Sequence, residues 1–205
     1  MMLTIRFALS ICASSVIAAC AQPIQPNPPP MLPSVSLQEL MQDVVDPSAD
    51  GIWDAVETTV TSAGESTRQP QTAEEWLAVR RAAITLSEAG NLLMMTGRRV
   101  GAHEFPAEAK GALDSTQIEH RIASQRSAFN GFAAALRAAA LTTLSAADAR
   151  DPVRLVSAGG TIDQICEGCH LQFWYPNQVI PSLPKLSEVR SGLATQSALA
   201  TLKQP

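Results

Sequence analysis

The chain is poor in aromatic residues and in charge. Aromatic residues make up 4% of its 205 residues and charged residues 17%, and the formal net charge is -4. Strands draw on aromatic and β-branched residues, so a chain rich in alanine and leucine favours helices. Nucleic-acid binding needs a basic face, which this acidic composition does not supply. We therefore expect an all-α protein with no nucleic-acid partner.

The sequence also has no apolar run long enough to cross a bilayer. Its longest run extends from Phe7 to Ala19, follows Arg6 and ends in small residues. A short apolar run behind a positive charge is typical of a cleaved signal peptide. We assign residues 1–19 to this signal and expect an exported protein, located in the periplasm.

The four residues that end at Cys20, Ile-Ala-Ala-Cys, resemble the lipobox of bacterial lipoproteins, whose cysteine is lipidated. This resemblance implies a lipid anchor at Cys20 and, with alanine rather than aspartate at position 21, an outer-membrane location. Six prolines lie between Pro23 and Pro33, so residues 20–35 are expected to form a semi-rigid tether. The alternative is an ordinary cleavage site beside Cys20 and a soluble periplasmic form.

Apolar residues at helical spacing predict four helices within residues 36–176. Capping boxes at Ser36 and Thr72 mark the starts of the first two helices. The first is expected to break or kink at Pro47 and to carry its apolar stripe on to Val60. The second is expected to end near Gly97 or Gly101.

The third helix is expected to start near Ser115 and the fourth to run from about Thr161 to Trp174. A short helical turn is expected to start at Pro152. Residues 157–160, Ser-Ala-Gly-Gly, are expected to interrupt the helix between this turn and the fourth helix. Four amphipathic helices with moderate loops predict an antiparallel four-helix bundle. Residues 177–205 form a tail to which the sequence assigns no role.

The C-terminal helix carries the chemistry. Cys166-Glu167-Gly168-Cys169-His170 has the C-x-x-C-H form of c-type haem attachment. Two thiols must bond to two vinyl groups on one porphyrin edge, and the following histidine must reach the iron. Positions i, i+3 and i+4 of a helix share one face, as this chemistry requires. We predict covalent haem c on Cys166 and Cys169, with His170 as an axial iron ligand.

Two other uses of the cysteine pair stay open. A redox-active Cys166–Cys169 disulfide is compatible with an oxidising compartment, although the βαβ context of thioredoxin-like proteins is missing. A zinc site would need further ligands, and the other histidines of the chain are His103 and His120.

A C-x-x-C-H motif on the last helix of a four-helix bundle resembles the class II c-type cytochromes, which include cytochrome c-prime. This resemblance implies a haem buried between helices, with the sixth iron position facing the first helix. Low-spin members of the class place a methionine there, so Met41 is the candidate sixth ligand. Met94, Met95, His103, His120 or a vacant site are the alternatives, and Met41 as plain core filling is another.

Other residues near the motif have two interpretations. Arg98 and Arg99 either pair with haem propionates or serve a helix C-terminus. The aromatic run from Phe173 to Tyr175 either shields the haem edge or packs the end of the helix.

The expected function is one-electron transfer to an unknown redox partner protein, without enzymatic activity. The alternatives are a five-coordinate haem protein that binds nitric oxide or carbon monoxide and, third, a thiol oxidoreductase. Class II cytochromes are often dimers, so a homodimer is a further expectation from the resemblance.

Overall fold

The computed structural model describes residues 31–61, 64–107 and 110–178. The predicted signal peptide, Cys20 and nearly all of the predicted tail lie outside these residues. Within them the protein is mostly helical, which confirms the helical class. The elements in chain order are α1 (Leu37–Leu40), a π-turn (Met41–Val45), α2 (Asp46–Trp53), β1 (Glu57–Thr61), β2 (Gly64–Arg68), α3 (Ala73–Leu93), α4 (Ser115–Ser124), α5 (Arg126–Ala149) and α6 (Pro152–Phe173).

Both predicted capping boxes are present. The Ser36 hydroxyl accepts from the Glu39 backbone N–H at 3.2 Å, and the Glu39 carboxylate accepts in turn from the Ser36 N–H at 2.8 Å. Thr72 and Glu75 make the same reciprocal pair at 3.1 Å and 2.9 Å. Each box satisfies backbone donors that a helix start leaves free, so the local sequence determines where α1 and α3 begin.

The first predicted helix ends earlier than its apolar stripe suggested. The helix stops at Trp53, and Val56 and Val60 lie beyond it. Residues 57–61, Glu-Thr-Thr-Val-Thr, instead pair antiparallel with residues 64–68 in a hairpin. Three threonines and a valine in five residues favour an extended backbone because β-branched side chains lose freedom in a helix. The helical prediction for this stretch is therefore wrong.

The predicted interruption of the last helix is also wrong. Helix α6 runs without a break through Gly159 and Gly160. A Cβ atom on Gly159 would lie 3.3 Å from the indole Cδ1 of Trp53, and the Trp53 Nε1–H donates to the Gly159 carbonyl at 3.1 Å. Glycine is therefore present here to admit a side chain from α2, and packing maintains the helix despite the low propensity of the residue.

The other predicted ends also shift. Helix α3 ends at Leu93, before both glycines, and Arg98 and Arg126 donate to the carbonyls of Leu92, Met94 and Met95 just there. The predicted third helix is divided at Gln125, whose φ of -123° and ψ of 36° are not helical. Its first half lies against the end of α6, where Arg121 Nε donates to the Gln172 carbonyl at 2.5 Å.

The long helices share one apolar core. Helix α5 packs against both α3 and α6, and α2 packs against α3 and α6. Ile52, Leu86, Leu155 and Ile162 are fully buried in these helices, and Ile118 of α4 is fully buried in the same core. Among the described helices, none is both long enough and apolar enough to cross a membrane.

Helices α3 and α5 approach each other closely at Gly90. A Cβ atom at this position would lie 2.8 Å from the Ala133 carbonyl oxygen and 2.9 Å from the Arg137 Cβ. Backbone cannot yield as the end of a flexible side chain can. The two helices therefore depend on glycine here for their separation.

We expect Gly90→Ala to destabilise the protein by about 1–3 kcal/mol, because the added methyl forces α3 and α5 apart. Gly131→Ala is the matched control, since its Cβ would meet nothing within 4 Å. Alanine favours a helix over glycine by about 0.5–1 kcal/mol, so the control is expected to gain stability. Thermal unfolding followed by circular dichroism measures both variants, and equal shifts in the two would contradict the close approach.

Candidate functional site

A cavity of about 360 Å³ lies between the first helical segment and helices α3, α5 and α6. This is within the range of small-molecule and cofactor sites, which are mostly apolar with a few polar groups. Its apolar wall is formed by residues from all four of these elements. They are Met41, Val45, Ala49, Trp53, Leu93, Phe129, Phe132, Ala133, Leu136 and Ile165.

The three side chains of the C-x-x-C-H motif all line this cavity. Cys166, Cys169 and His170 come from the last two turns of α6 and are partly buried. Gly168, between them, lies close to α5, because a Cβ atom there would be 3.1 Å from Phe132 Cε1. The motif helix therefore sits tightly on α5 and presents both thiols and the imidazole to one space.

Both cysteines are free thiols whose ionisation is suppressed. Burial raises the pKa of Cys166 to about 11, and nearby Asp46 and Asp163 contribute. Burial raises the pKa of Cys169 to about 12, with Cys166 adding to the effect. Reactive cysteines of redox C-x-x-C sites have lowered pKa values, because the thiolate is the nucleophile. Neither thiol has the lowered pKa that is typical of redox-active C-x-x-C sites.

Met41 lies in the same cavity wall, at the start of the π-turn. Of the methionines in the described part of the chain, Met31, Met94 and Met95 do not line the cavity. Met31 is 80% exposed, and the other two follow the end of α3. His103 and His120 are exposed and also lie outside the wall. The structure thus brings Met41 and His170, which are far apart in the sequence, to one cavity.

The aromatic run after the motif divides between two tasks. Phe173 is buried and packs edge-on against Phe129 at 5.4 Å between ring centroids. Trp174 stacks against Phe105 at 6.4 Å. Trp174 and Tyr175 each lie 6.5 Å from the His170 ring, centroid to centroid. Phe173 therefore packs the core, while the other two flank the imidazole.

Arg98 and Arg99 are engaged elsewhere. Arg98 donates to the carbonyls of Val35 at 2.5 Å and Leu92 at 3.2 Å. Arg99 forms an ion pair with Glu119 at 2.6 Å. Neither arginine lines the cavity. Arg98 therefore serves the C-terminal end of α3, whereas Arg99 is paired with Glu119 of α4.

Acidic side chains at the cavity were missed at the sequence level. Asp46 and Asp50 enter the wall from α2, and Asp163 and Glu167 enter it from α6. Burial raises the pKa of Asp46, while His170 opposes this and Asp50 adds to it. Each pair is spaced i, i+4, which puts both members on one helix face. That spacing was the available signal, but only the packing shows that the two faces meet.

Comparisons of the chain with protein family models, with curated proteins and with solved structures found no match. In the part of the chain that the structure describes, no three or more His, Cys, Asp or Glu side chains cluster as a metal site. The motif cavity, with two thiols, one imidazole and one thioether, is the candidate functional site.

Proposed function

We propose that this protein is a c-type cytochrome that carries single electrons. One observation carries the proposal: the two thiols and the imidazole of a C-x-x-C-H motif line one apolar cavity together with Met41. These residues fit a haem. Cys166 and Cys169 would hold it through thioether bonds, and His170 and Met41 would ligate the iron. When bound, haem supplies the one-electron chemistry.

The chain contributes burial, ligation and charge. Phe129, Phe132 and Trp53 line the cavity and would shield a bound haem from water. An apolar surrounding and methionine ligation both raise a haem potential. Trp53 is held in place by its hydrogen bond to Gly159.

The wider assignment follows the resemblance to class II cytochromes. We propose an antiparallel four-helix bundle formed by the α1–α2 segment, α3, α5 and α6, with α4 as an extension of α5. We also propose a periplasmic protein anchored to the outer membrane through lipid on Cys20. The redox partner would be another protein of the same compartment.

An absorption spectrum tests the proposal directly. The full chain would be matured in a periplasm with haem-attachment machinery and measured oxidised, reduced, and reduced with carbon monoxide. We expect haem that survives denaturing extraction and sharp low-spin bands that ignore carbon monoxide. The absence of covalent haem would refute the cytochrome assignment. A high-spin spectrum that shifts with carbon monoxide would instead support the gas-binding alternative.

The acidic wall gives a prediction about the reduction potential. A carboxylate near the iron stabilises the more positive, oxidised state. We expect Asp46→Asn to raise the potential by about 20–70 mV, since charges about 10 Å apart interact by about 0.4–1.7 kcal/mol between bulk water and a protein surface. Asp54→Asn is the control, because Asp54 belongs to the same segment but lies outside the cavity wall. Potentiometric titration measures both, and an equal change in both variants would exclude a local effect.

A further inference from the structure

The first helical segment contains a π-turn directly after α1. The Asp46 backbone N–H donates to the Met41 carbonyl, five residues back rather than four. Such turns are rare, and they insert one extra residue into a helix. In the described chain this one begins at the methionine of the cavity wall.

Pro47 explains why the extra residue lies here. In a regular α-helix the Asp43 carbonyl would accept from residue 47, but proline has no N–H to donate. The proline ring would also collide with that carbonyl. Widening the preceding turn separates the two groups, and α2 then starts with Pro47 in its first turn, where a missing N–H costs nothing.

The turn changes which residues share a face. The segment contributes to the cavity wall Met41, Val45, Asp46, Ala49, Asp50 and Trp53. Met41 and Trp53 are separated by 53 − 41 = 12 positions, which in a regular α-helix places them about 120° apart around the axis. One extra residue removes about 100° of this difference. The π-turn thus brings Met41 onto the cavity face of α2.

Both ends of the segment are fixed independently. At the start, the backbone N–H groups of Leu37 and Gln38 donate to the carbonyls of Arg99 and Val100 at 2.8 Å and 2.9 Å. At the end, Ile52 is fully buried and Trp53 is bonded to α6. The extra residue that changes the angle between Met41 and Trp53 must therefore lie in the chain between these two ends. Pro47 determines that it lies directly after Met41.

We infer that Pro47 is a positioning residue for the sixth iron ligand: through the π-turn it turns Met41 into the cavity that holds His170. The inference rests on the proposed haem site. It assigns a function to a residue that does not itself line the cavity.

Pro47→Ala tests it, because alanine no longer forces the extra residue into the turn that follows Met41. With that residue ahead of Met41, or absent, Met41 rotates by about 100° away from the cavity and position 42 takes its place. Gln42 is exposed and lies outside the cavity wall. We expect Pro47→Ala to lose the low-spin spectrum and to bind carbon monoxide. Met41→Gln/Gln42→Met should do the same with Pro47 present.

The two changes combined should restore the low-spin spectrum, since the moved methionine meets the rotated position. Pro152→Ala is the matched control, because that proline also opens a helix but follows no π-turn, and its spectrum should not change. Circular dichroism verifies that each variant keeps its helix content.

The outcomes separate the two proposals. Haem retained in all variants, with Pro47→Ala still low-spin, overturns the positioning role and leaves the cytochrome assignment standing. Failure of the combined variant to regain the low-spin spectrum overturns it as well. An unchanged spectrum in a Met41→Ala variant would show that Met41 is not the sixth ligand, and this also overturns the inference. The absence of covalent haem from the wild-type chain would refute the c-type cytochrome assignment itself, whatever the variants show.

Discussion

Replacing both Cys166 and Cys169 with alanine is expected to remove all covalently bound haem from the protein. Each thiol would supply one thioether bond, so the double variant has no attachment left. Single replacements are expected to keep one bond and to accumulate less holoprotein. Haem staining after denaturing electrophoresis measures attachment, and extraction into acidified organic solvent separates free from covalent haem.

Cys20→Ser is the control for this experiment. It removes a thiol that the proposal assigns to lipid, so covalent haem is expected to remain while membrane association is lost. Membrane fractionation with and without detergent measures that association. Covalent haem that persists in the Cys166→Ala/Cys169→Ala variant would contradict the attachment site. Loss of haem in Cys20→Ser, with haem retained in the Cys166→Ala/Cys169→Ala variant, would mean that Cys20 is the attachment site.

Replacing Met41 with alanine is expected to open the sixth iron position. Alanine cannot ligate iron, so the spectrum should change from low-spin to high-spin and carbon monoxide should bind the reduced protein. The potential should fall by on the order of 0.1 V, within the range of about 0.8 V over which axial ligands set haem potentials. Absorption spectroscopy and potentiometric titration measure the two effects.

Met95→Ala is the matched control, since Met95 lies outside the cavity and its sulfur is 3.8 Å from Arg98 Nη2. Its spectrum and potential should remain those of the wild-type protein. An unchanged low-spin spectrum in Met41→Ala would exclude Met41 as the ligand. A wild-type protein that is already high-spin would make the open-site, gas-binding function the better assignment.

Several features of this protein could be predicted from local sequence because their causes are local. The capping pairs at Ser36 and Thr72 satisfy backbone donors within four residues, so they do not depend on the rest of the fold. The helical spacing of Cys166, Cys169 and His170 is likewise a property of one turn. The helical class and the motif that carries the chemistry therefore follow from the sequence itself.

Errors arose where a residue acts through a distant partner. The sequence predicts that Gly159 breaks the helix. In the fold, Trp53, which is 106 positions away, packs against it instead. Pro47 predicts a break, but the helix continues past it through a π-turn. The start of the segment is hydrogen-bonded to the chain after α3, which the local sequence cannot show. A stripe of apolar residues also cannot show that Val56 lies beyond the end of its helix.

By itself, the sequence determined the helical class, two helix starts and the three motif side chains of the site, because each depends on contacts within about one helical turn. The tertiary structure alone decided which residues meet that motif. Met41, the aromatic wall, Asp46 and Asp50 reach it from the π-turn, α2 and α5. Their approach is set by the burial of apolar faces, which is a property of the whole chain and of no single segment.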